Sequence, residues 1–277
     1  MKLKYFMITL LLVVMSSCNS EDDTSSFNDS SLNGTIYEGN LRLNSQSQLE
    51  LYGELGITKV TGTLYITSQS SEGAVNDLTS LNSIMEVGSL EIEDNPILER
   101  LEGLENIQTD RVYIADNELL ENINALDLSS IPLSYLALIN LPNLNDFSSL
   151  SNVEEIGTFL FQRLPLTNLE SLSNLKRIGT FSLSNMDNLE NLESLNLEYI
   201  TNVLAITWND NLQSLEGLES IQEVGQYCEV TIRSNPMLTD FCYLTAFTQQ
   251  QDVENSYTVY DNEFNPTFQD LLDGNCN

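Results

Sequence analysis

Apolar and polar residues alternate in short segments that recur along the chain. In residues 87–107, VGSLEIEDNPILERLEGLENI, Leu90 and Ile92 alternate with polar residues, which predicts a strand with one buried face. Asn95-Pro96 ends this strand, and leucine or isoleucine then recurs at every third position. The same pattern returns down the chain, and internal repetition at this period predicts a solenoid.

The second apolar residue of each strand marks one repeat, and successive markers are 22 to 27 residues apart. Nine such markers occur, at Ile66, Ile92, Ile114, Leu138, Phe161, Leu183, Ile206, Ile232 and Val259. One repeat, or coil, cannot bury its own aliphatic residues, but stacked coils bury them against each other. We therefore predict a mainly β fold, a single parallel β-solenoid of about nine coils.

An asparagine follows several of these markers by three residues, at Asn95, Asn117, Asn209, Asn235 and Asn262. The same position holds Leu141, Leu164 or Met186 in the middle repeats. At the corner after a strand this side chain would be buried, and a buried amide must be hydrogen-bonded. We expect a structural ladder of asparagines between neighbouring coils, replaced by apolar packing at the three middle positions.

Both ends of the repeat region carry segments suited to covering an exposed core. Residues 36–57 are predicted to form a short strand and then a helix, because Ser45 and Gln48 match a capping box before an apolar face. Gly56 suits the end of that helix, and the polar loop 68–76 is expected to bulge outwards. Residues 257–272 are predicted to form the last strand and a closing segment.

The first 35 residues have the composition of an export signal followed by a linker. Residues 1–17 are predicted to be a signal peptide, because their apolar run is too short to span a membrane. The small residues before Cys18 resemble the lipobox of bacterial lipoproteins, which implies cleavage and lipidation at Cys18; an ordinary secretory signal cleaved near Ser17 is the alternative. Residues 18–35 are expected to be a flexible acidic tether. The acidic residues just after Cys18 resemble a surface-export tag of outer-membrane lipoproteins, and a plain solvated tether explains them as well.

Three segments resemble receptor L-domains, the leucine-rich-repeat-like module of growth-factor receptor ectodomains and of secreted bacterial proteins. They are GNLRLNSQSQLELYGELGITKVTGTLYI, the units of the type IEDNPILERLEGLENI, and DNEFNPTFQDLLDGNC. The resemblance covers residues 36–277. It implies a right-handed parallel β-solenoid with short turns, and binding of a ligand or partner rather than catalysis.

The 277-residue chain has no histidine and a formal net charge of −31. It therefore lacks the commonest general base and metal ligand, and it shows no nucleophile elbow, P-loop or CxxC pair. We expect no enzyme activity, no cofactor and no metal site. The alternative is that two of the 41 acidic residues form a carboxylate pair that hydrolyses glycosides. Calcium could be bound through Asp94, Asp116, Asp210 or Asp261, but no loop matches an EF-hand. Nucleic acid and anionic lipid are poor partners for such an acidic surface.

Three cysteines remain after the expected processing, and an exported protein resides where disulfides persist. A bridge between Cys242 and Cys276 would pin the C-terminal tail over the end of the core, and we prefer this pairing. Cys228 would then be a buried free thiol. The pair Cys228 and Cys242 is the alternative, because the number of cysteines does not decide the pairing.

The outward residues of the predicted strands alternate with the core residues. The central ones are Tyr65, Glu91, Tyr113, Ala137, Leu160, Ser182, Ala205, Thr231 and Thr258. Tyr113, Tyr135, Ile139 and Leu160 fall on neighbouring strands and are expected to form an exposed apolar and aromatic patch that binds a partner. The alternatives are that a loop or end segment covers this patch, or that packing between strands explains it.

Trp208, the only tryptophan, is expected at the corner after a strand, as a wedge against the next turn or as a surface on which a ligand stacks.

The function we favour is that of a non-catalytic lipoprotein that is anchored in the outer membrane, faces the cell exterior, and binds or adheres to a protein or glycan. A structural protein of the cell envelope and a glycan hydrolase are the alternatives.

Overall fold

The computed structural model describes residues 27–29, 34–68 and 73–277. Its thirteen strands form one sheet, in which twelve strands run parallel and the first is antiparallel to the second. Neighbours along the main part of the sheet are also neighbours in sequence, so the chain returns to the same end of the sheet between strands. The predicted mainly β, parallel, solenoid-like fold is confirmed at this level.

The strands are β1 (Phe27–Asp29), β2 (Thr35–Tyr37), β3 (Leu41–Leu43), β4 (Ile57–Thr67), β5 (Glu86–Glu93), β6 (Arg111–Ala115), β7 (Leu133–Ile139), β8 (Glu155–Gln162), β9 (Arg177–Ser184), β10 (Tyr199–Thr207), β11 (Glu223–Val224), β12 (Glu229–Arg233) and β13 (Tyr257–Tyr260). The α-helices of the described residues are α1 (Gln46–Glu54) and α2 (Phe268–Leu272). Short 3-10 helices lie in the connections, at Thr79–Leu81, Ser148–Leu150, Glu170–Leu172, Cys242–Leu244, Phe247–Gln249 and Gln251–Ser256.

The marker residues of the repeats are register partners across the sheet. Each marker pairs with the marker of the next repeat, in an unbroken series from Ile66 to Val259. Leu43 of β3 precedes this series as the partner of Ile66, which the repeat pattern did not include. The hydrophobic pattern fixed this register, since a slip of one residue would turn every apolar side chain to the opposite face.

One continuous apolar core runs through all the coils. The strands contribute their two inward residues, and the connections contribute the leucines that recur at every third position; Leu98, Leu101 and Leu104 are each 0% exposed. Because the connections contain turns and single 3-10 turns instead of long helices, successive coils remain thin and stack closely.

Helix α1 begins and ends where the sequence predicted. The side chain of Ser45 accepts a hydrogen bond from the Gln48 backbone N–H, and Gly56 adopts a left-handed φ of 62° just after the helix. The Gln48 side chain, however, accepts from the backbone N–H of Asn44 rather than of Ser45, so the capping box is shifted by one residue. Leu49 is fully buried against the core.

Other features near the ends differ from expectation or add to it. Strand β1 lies within the expected tether and pairs with β2, a pairing that the repeat pattern does not predict. Of the loop 68–76, expected to bulge outwards, Ser68, Ala74 and Val75 are buried, and the Ser68 hydroxyl accepts a hydrogen bond from the Val75 backbone N–H at 2.9 Å. Residues 69–72 of this loop lie outside the described residues. Helix α2 follows β13 and buries Phe268.

The predicted signal peptide and the lipidation residue Cys18 lie outside the described residues. Within the described ranges, no helix has the length and apolar composition required to cross a bilayer.

Candidate binding face

The outward side chains form continuous rows across the sheet. Along the central row each residue is the register partner of the next, in the order Tyr65, Glu91, Tyr113, Ala137, Leu160, Ser182, Ala205, Thr231 and Thr258. Arg42 of β3 precedes Tyr65 in this row. Register pairing therefore places side chains that are far apart in sequence at the spacing of adjacent strands, about 4.8 Å.

The residues expected to form an apolar and aromatic patch lie together on β6, β7 and β8. We call Tyr113, Tyr135, Ile139 and Leu160 the tyrosine patch. Ala137 is the register partner of both Tyr113 and Leu160, and Tyr135 and Ile139 flank it along β7. All four patch side chains are half-buried, and Ala137 between them is 0% exposed. Packing between neighbouring strands thus accounts for part of their burial, while part of each side chain faces solvent.

Arginine side chains stack on aromatic rings of the next strand. The guanidinium carbon of Arg111 lies 5.3 Å from the ring centre of Tyr135, and that of Arg42 lies 4.0 Å from the ring centre of Tyr65. Within the described part of the chain neither arginine forms an ion pair, although the protein carries a net charge of −31. Sequence reasoning missed these stacks; their signal is an arginine and an aromatic residue one repeat apart.

Partial burial raises the pKa of the Tyr113 hydroxyl, and the carboxylate of Glu93 adds to the rise. Partial burial also raises the pKa of Tyr135, against the opposing effect of Arg111. The carboxyl pKa of Glu91 is raised by burial and then by Glu93. Both tyrosines therefore keep their hydroxyl protons at neutral pH and can donate hydrogen bonds to a partner.

The asparagines at the corners form two hydrogen-bonded ladders. In the first, Asn95 Nδ2 donates to Asn117 Oδ1 at 3.0 Å, and Ser68 Oγ donates to Asn95 Oδ1 at 3.0 Å. Asn95 and Asn117 also donate to backbone carbonyls of the preceding strands, those of Ile66 and Ile92. These contacts account for the amide groups of both residues, which are fully buried.

The second ladder joins the C-terminal coils. Asn209 Nδ2 donates to Asn235 Oδ1 at 3.0 Å, and Asn235 Nδ2 donates to Asn262 Oδ1 at 2.8 Å. Asn265 ends the series by accepting from Asn262 Nδ2 at 3.1 Å. Between the two ladders the same position holds the buried apolar side chains of Leu141, Leu164 and Met186.

The residue before each of these corner positions has a left-handed backbone. The eight residues, with φ between 52° and 59°, are Asp94, Asp116, Asn140, Arg163, Asn185, Trp208, Ser234 and Asp261. Trp208 is 43% exposed, and the guanidinium carbon of Arg233 lies 3.9 Å from its ring centre. Trp208 thus packs against the following coil, as the wedge interpretation predicted, and keeps part of its ring in solvent.

Of the acidic residues considered as calcium ligands, the structure brings Asp94 and Asp116 to the same cavity. Asp94 and Asp116 occupy equivalent corners of neighbouring coils and line a shallow cavity of about 420 Å³ with Asn140. The amide of Asn140 donates to Asp116 Oδ1 at 2.5 Å, and Asp261 lies at the far end of the sheet. Among the described residues, no three acidic, cysteine or histidine side chains form a group that could hold a metal ion.

Cys242 and Cys276 form a disulfide, with their Cα atoms 4.9 Å apart. This is the pairing preferred from the sequence, and the alternative pair is not formed. The bridge holds the C-terminal tail against the last turns, where the Phe241 backbone N–H donates to the Cys276 carbonyl at 2.9 Å. Cys228 is a buried free thiol, and burial raises its pKa to about 11.

Comparisons of the chain with protein-family models, with curated proteins and with solved structures give no match. The resemblance to receptor L-domains therefore depends on the three sequence segments quoted above.

Proposed function

We propose that this protein is a surface-anchored, non-catalytic binding protein that recognises a protein or glycan partner through the tyrosine patch. The proposal depends on one observation: the four patch side chains surround the buried Ala137, and Arg111 stacks on Tyr135 at their margin. Tyrosine and arginine are, with tryptophan, the residue types enriched among the anchors of recognition surfaces.

The support beneath the patch favours binding. Its side chains stand on three adjacent strands of a continuous sheet, and the Arg111 stack restricts the ring of Tyr135 further. Side chains that are already ordered lose little conformational entropy when a partner binds. The net charge of −31 favours encounter with partners that carry basic surfaces, and disfavours nucleic acid and anionic lipid.

The proposed location follows from the N-terminal sequence. Residues 1–17 would direct export, lipidation of Cys18 would anchor the chain in the outer membrane, and the acidic residues that follow would hold the body at the cell exterior. Replacing Cys18 with alanine should release the protein from the membrane fraction and abolish incorporation of labelled palmitate. A Cys18→Ala variant that still takes up palmitate and stays in the membrane contradicts this anchor.

We further propose that the body is a right-handed solenoid of the receptor L-domain type, with about nine coils and a covering segment at each end. The in-register markers, the buried asparagines and the apolar contacts of α1 and α2 support this architecture. No enzyme activity, cofactor or metal ion is part of the proposal.

A binding screen of the purified full-length protein against a glycan array and a panel of cell-surface proteins tests the proposed function. The double variant Tyr113→Ser, Tyr135→Ser should weaken binding of a retained partner at least about thirtyfold, because removing even one anchor residue costs about 2 kcal/mol or more. Tyr227→Ser is the matched control, since Tyr227 is 77% exposed and lies outside the patch.

Each other outcome favours one alternative. If no partner is retained, or the double variant binds as well as the wild type, the patch proposal is wrong and a structural role in the envelope is favoured. Turnover of a glycan that one carboxylate substitution abolishes would instead identify a hydrolase.

A further inference from the structure

A trough crosses the outer face of the sheet on β8, β9, β10 and β11, near the start of each strand. It encloses about 440 Å³, which is within the range of small-ligand sites. One wall is a row of register partners from consecutive strands: Glu155, Arg177, Tyr199 and Glu223. At about 4.8 Å per strand, this wall is about 14 Å long.

The floor of the trough is largely backbone, because β8, β9 and the segment after β11 each contribute a glycine to it. A Cβ on Gly157 would collide with the carbonyl oxygen of Ser134, one on Gly179 with that of Gly157, and one on Gly225 with that of Thr201. At these three positions the neighbouring strand is too close for a Cβ, whereas β10 has Thr201 and Asn202 there, at an irregularity of the strand register. The glycines are therefore explained by strand packing, and the site is defined by the side chains of the wall.

Arg177 stacks on Tyr199 through the face of its guanidinium group, which leaves the N–H groups at the edge of that plane able to donate. Its guanidinium carbon lies 4.0 Å from the ring centre of Tyr199, so one face of the guanidinium is stacked. Glu155 is its register partner on the other side, yet within the described residues Arg177 forms no ion pair. Earlier in the same row Lys59 and Glu86 do pair, at 2.5 Å. The exposed Arg177 therefore retains N–H groups that can donate to a ligand.

The groups around the trough match a ligand rich in hydroxyl groups. Glu155 and Glu223 can only accept hydrogen bonds, Arg177 can only donate them, and Thr158 and Asn202 of the lining do both. A sugar hydroxyl both donates and accepts, and the ring of Tyr199 offers an apolar surface. The wall offers no apolar pocket for a peptide side chain, and its two carboxylates with the net charge of −31 oppose an anionic polymer.

From this geometry we propose that the trough is a second binding site, which takes a neutral oligosaccharide lying across the strands against Arg177 and Tyr199. The inference goes beyond the function proposed above, because the trough and the tyrosine patch share no residue. A partner bound at the patch and a glycan bound in the trough would occupy separate parts of the same face.

Affinity electrophoresis of the full-length protein in gels containing dextran, mannan, arabinoxylan or soluble starch tests the proposal, with polygalacturonate and hyaluronate as the acidic probes. We expect retardation by at least one neutral polysaccharide. Arg177→Ala should weaken that binding at least about tenfold, since a hydrogen bond to a charged group is worth about that factor or more. Tyr199→Ala should weaken it as well, because it removes the ring on which Arg177 stacks. Lys176→Ala is the matched control: it removes the same charge one residue away, from an ion pair with Glu198 outside the trough.

Thermal unfolding of each variant separates loss of a contact from loss of the fold, and the midpoints of Arg177→Ala and Lys176→Ala should agree. Three results overturn the proposal: no neutral polysaccharide retards the wild type, the acidic probes alone do, or the Arg177 and Tyr199 variants bind like the wild type. The double variant Tyr113→Ser, Tyr135→Ser should leave polysaccharide binding unchanged. If that variant loses the polysaccharide while Arg177→Ala keeps it, the glycan belongs to the tyrosine patch and the trough proposal fails.

Discussion

The buried amide of Asn235 holds three coils in register, and its removal should be costly. In the wild type its Nδ2 donates to Asn262 Oδ1 at 2.8 Å and to the Ile206 carbonyl at 3.0 Å. Its Oδ1 accepts from the backbone N–H of Asn209 at 3.0 Å and from that residue's side chain at 3.0 Å. Asn235→Ala leaves the Asn209 N–H without its acceptor and the Ile206 carbonyl without this donor, in a site that is 0% exposed.

Each buried polar group left without a partner costs about 1–3 kcal/mol, so these two groups predict a loss of about 4 kcal/mol in the free energy of unfolding. Urea unfolding followed by circular dichroism measures the loss, and coincident Trp208 fluorescence checks that unfolding is two-state. Asn188→Ala is the control, because Asn188 is exposed, and its change should stay within about 0.5 kcal/mol. A loss below about 1 kcal/mol for Asn235→Ala, or one equal to the control, would refute the assigned role of the ladder.

Three further predictions concern the strand packing and the cysteines. Cys276→Ser removes a bridge between residues 34 apart in sequence. If the bridge stabilises by restricting the unfolded chain, calorimetry should show a loss of about 3–4 kcal/mol in the free energy of unfolding, and no loss would contradict that role. Gly179→Ala drives a Cβ into the Gly157 carbonyl, so urea unfolding should show a loss of about 1–3 kcal/mol, and an unchanged midpoint would show that the strands can separate there. Because the folded-state pKa of the Cys228 thiol is raised from 9.0 to about 11, the unfolded chain loses this proton first, and stability should fall as pH rises from about 9 to 11. Cys228→Ala should remove that part of the pH dependence, and an equal fall in the variant would assign it to other groups.

The sequence predicted the parallel stacking because its hydrophobic period determines both the strands and their register. Ile92, Ile114 and Leu138 are register partners as their spacing required, since any other alignment would expose the core. The positions of the ladder asparagines were also predictable from the sequence, because an asparagine buried in an otherwise apolar corner must find hydrogen-bond partners.

Other features depend on neighbours that a period does not reveal. Strand β1 is antiparallel and carries no repeat signal. Arg177 could have paired with Glu155 or stacked on Tyr199, and only the structure distinguishes these two arrangements. The trough arises where glycines let the strands approach, and the recurrence of glycine shortly before the core residues was its unused signal.

The four residues of the tyrosine patch were identified from alternation alone, and the structure places them on adjacent strands. Their degree of exposure was not predictable, because it depends on how the side chains of β6 and β8 pack on either side of Ala137. The alternation along a strand assigns a residue to a face, whereas side-chain packing decides how much of that residue a partner can reach.

The two ends of the sheet differ in how firmly they are closed, and this gives the molecule a mechanical polarity. At the start, β1 is joined to β2 by three register pairs, whereas at the finish a covalent bridge ties the tail to the final turns. Tension applied through the beginning of the chain would therefore act first on the three β1–β2 register pairs, which are not covalent. Tension applied at the C-terminus would instead act first on the Cys242–Cys276 disulfide. This covalent bond does not break at forces that separate hydrogen-bonded strands.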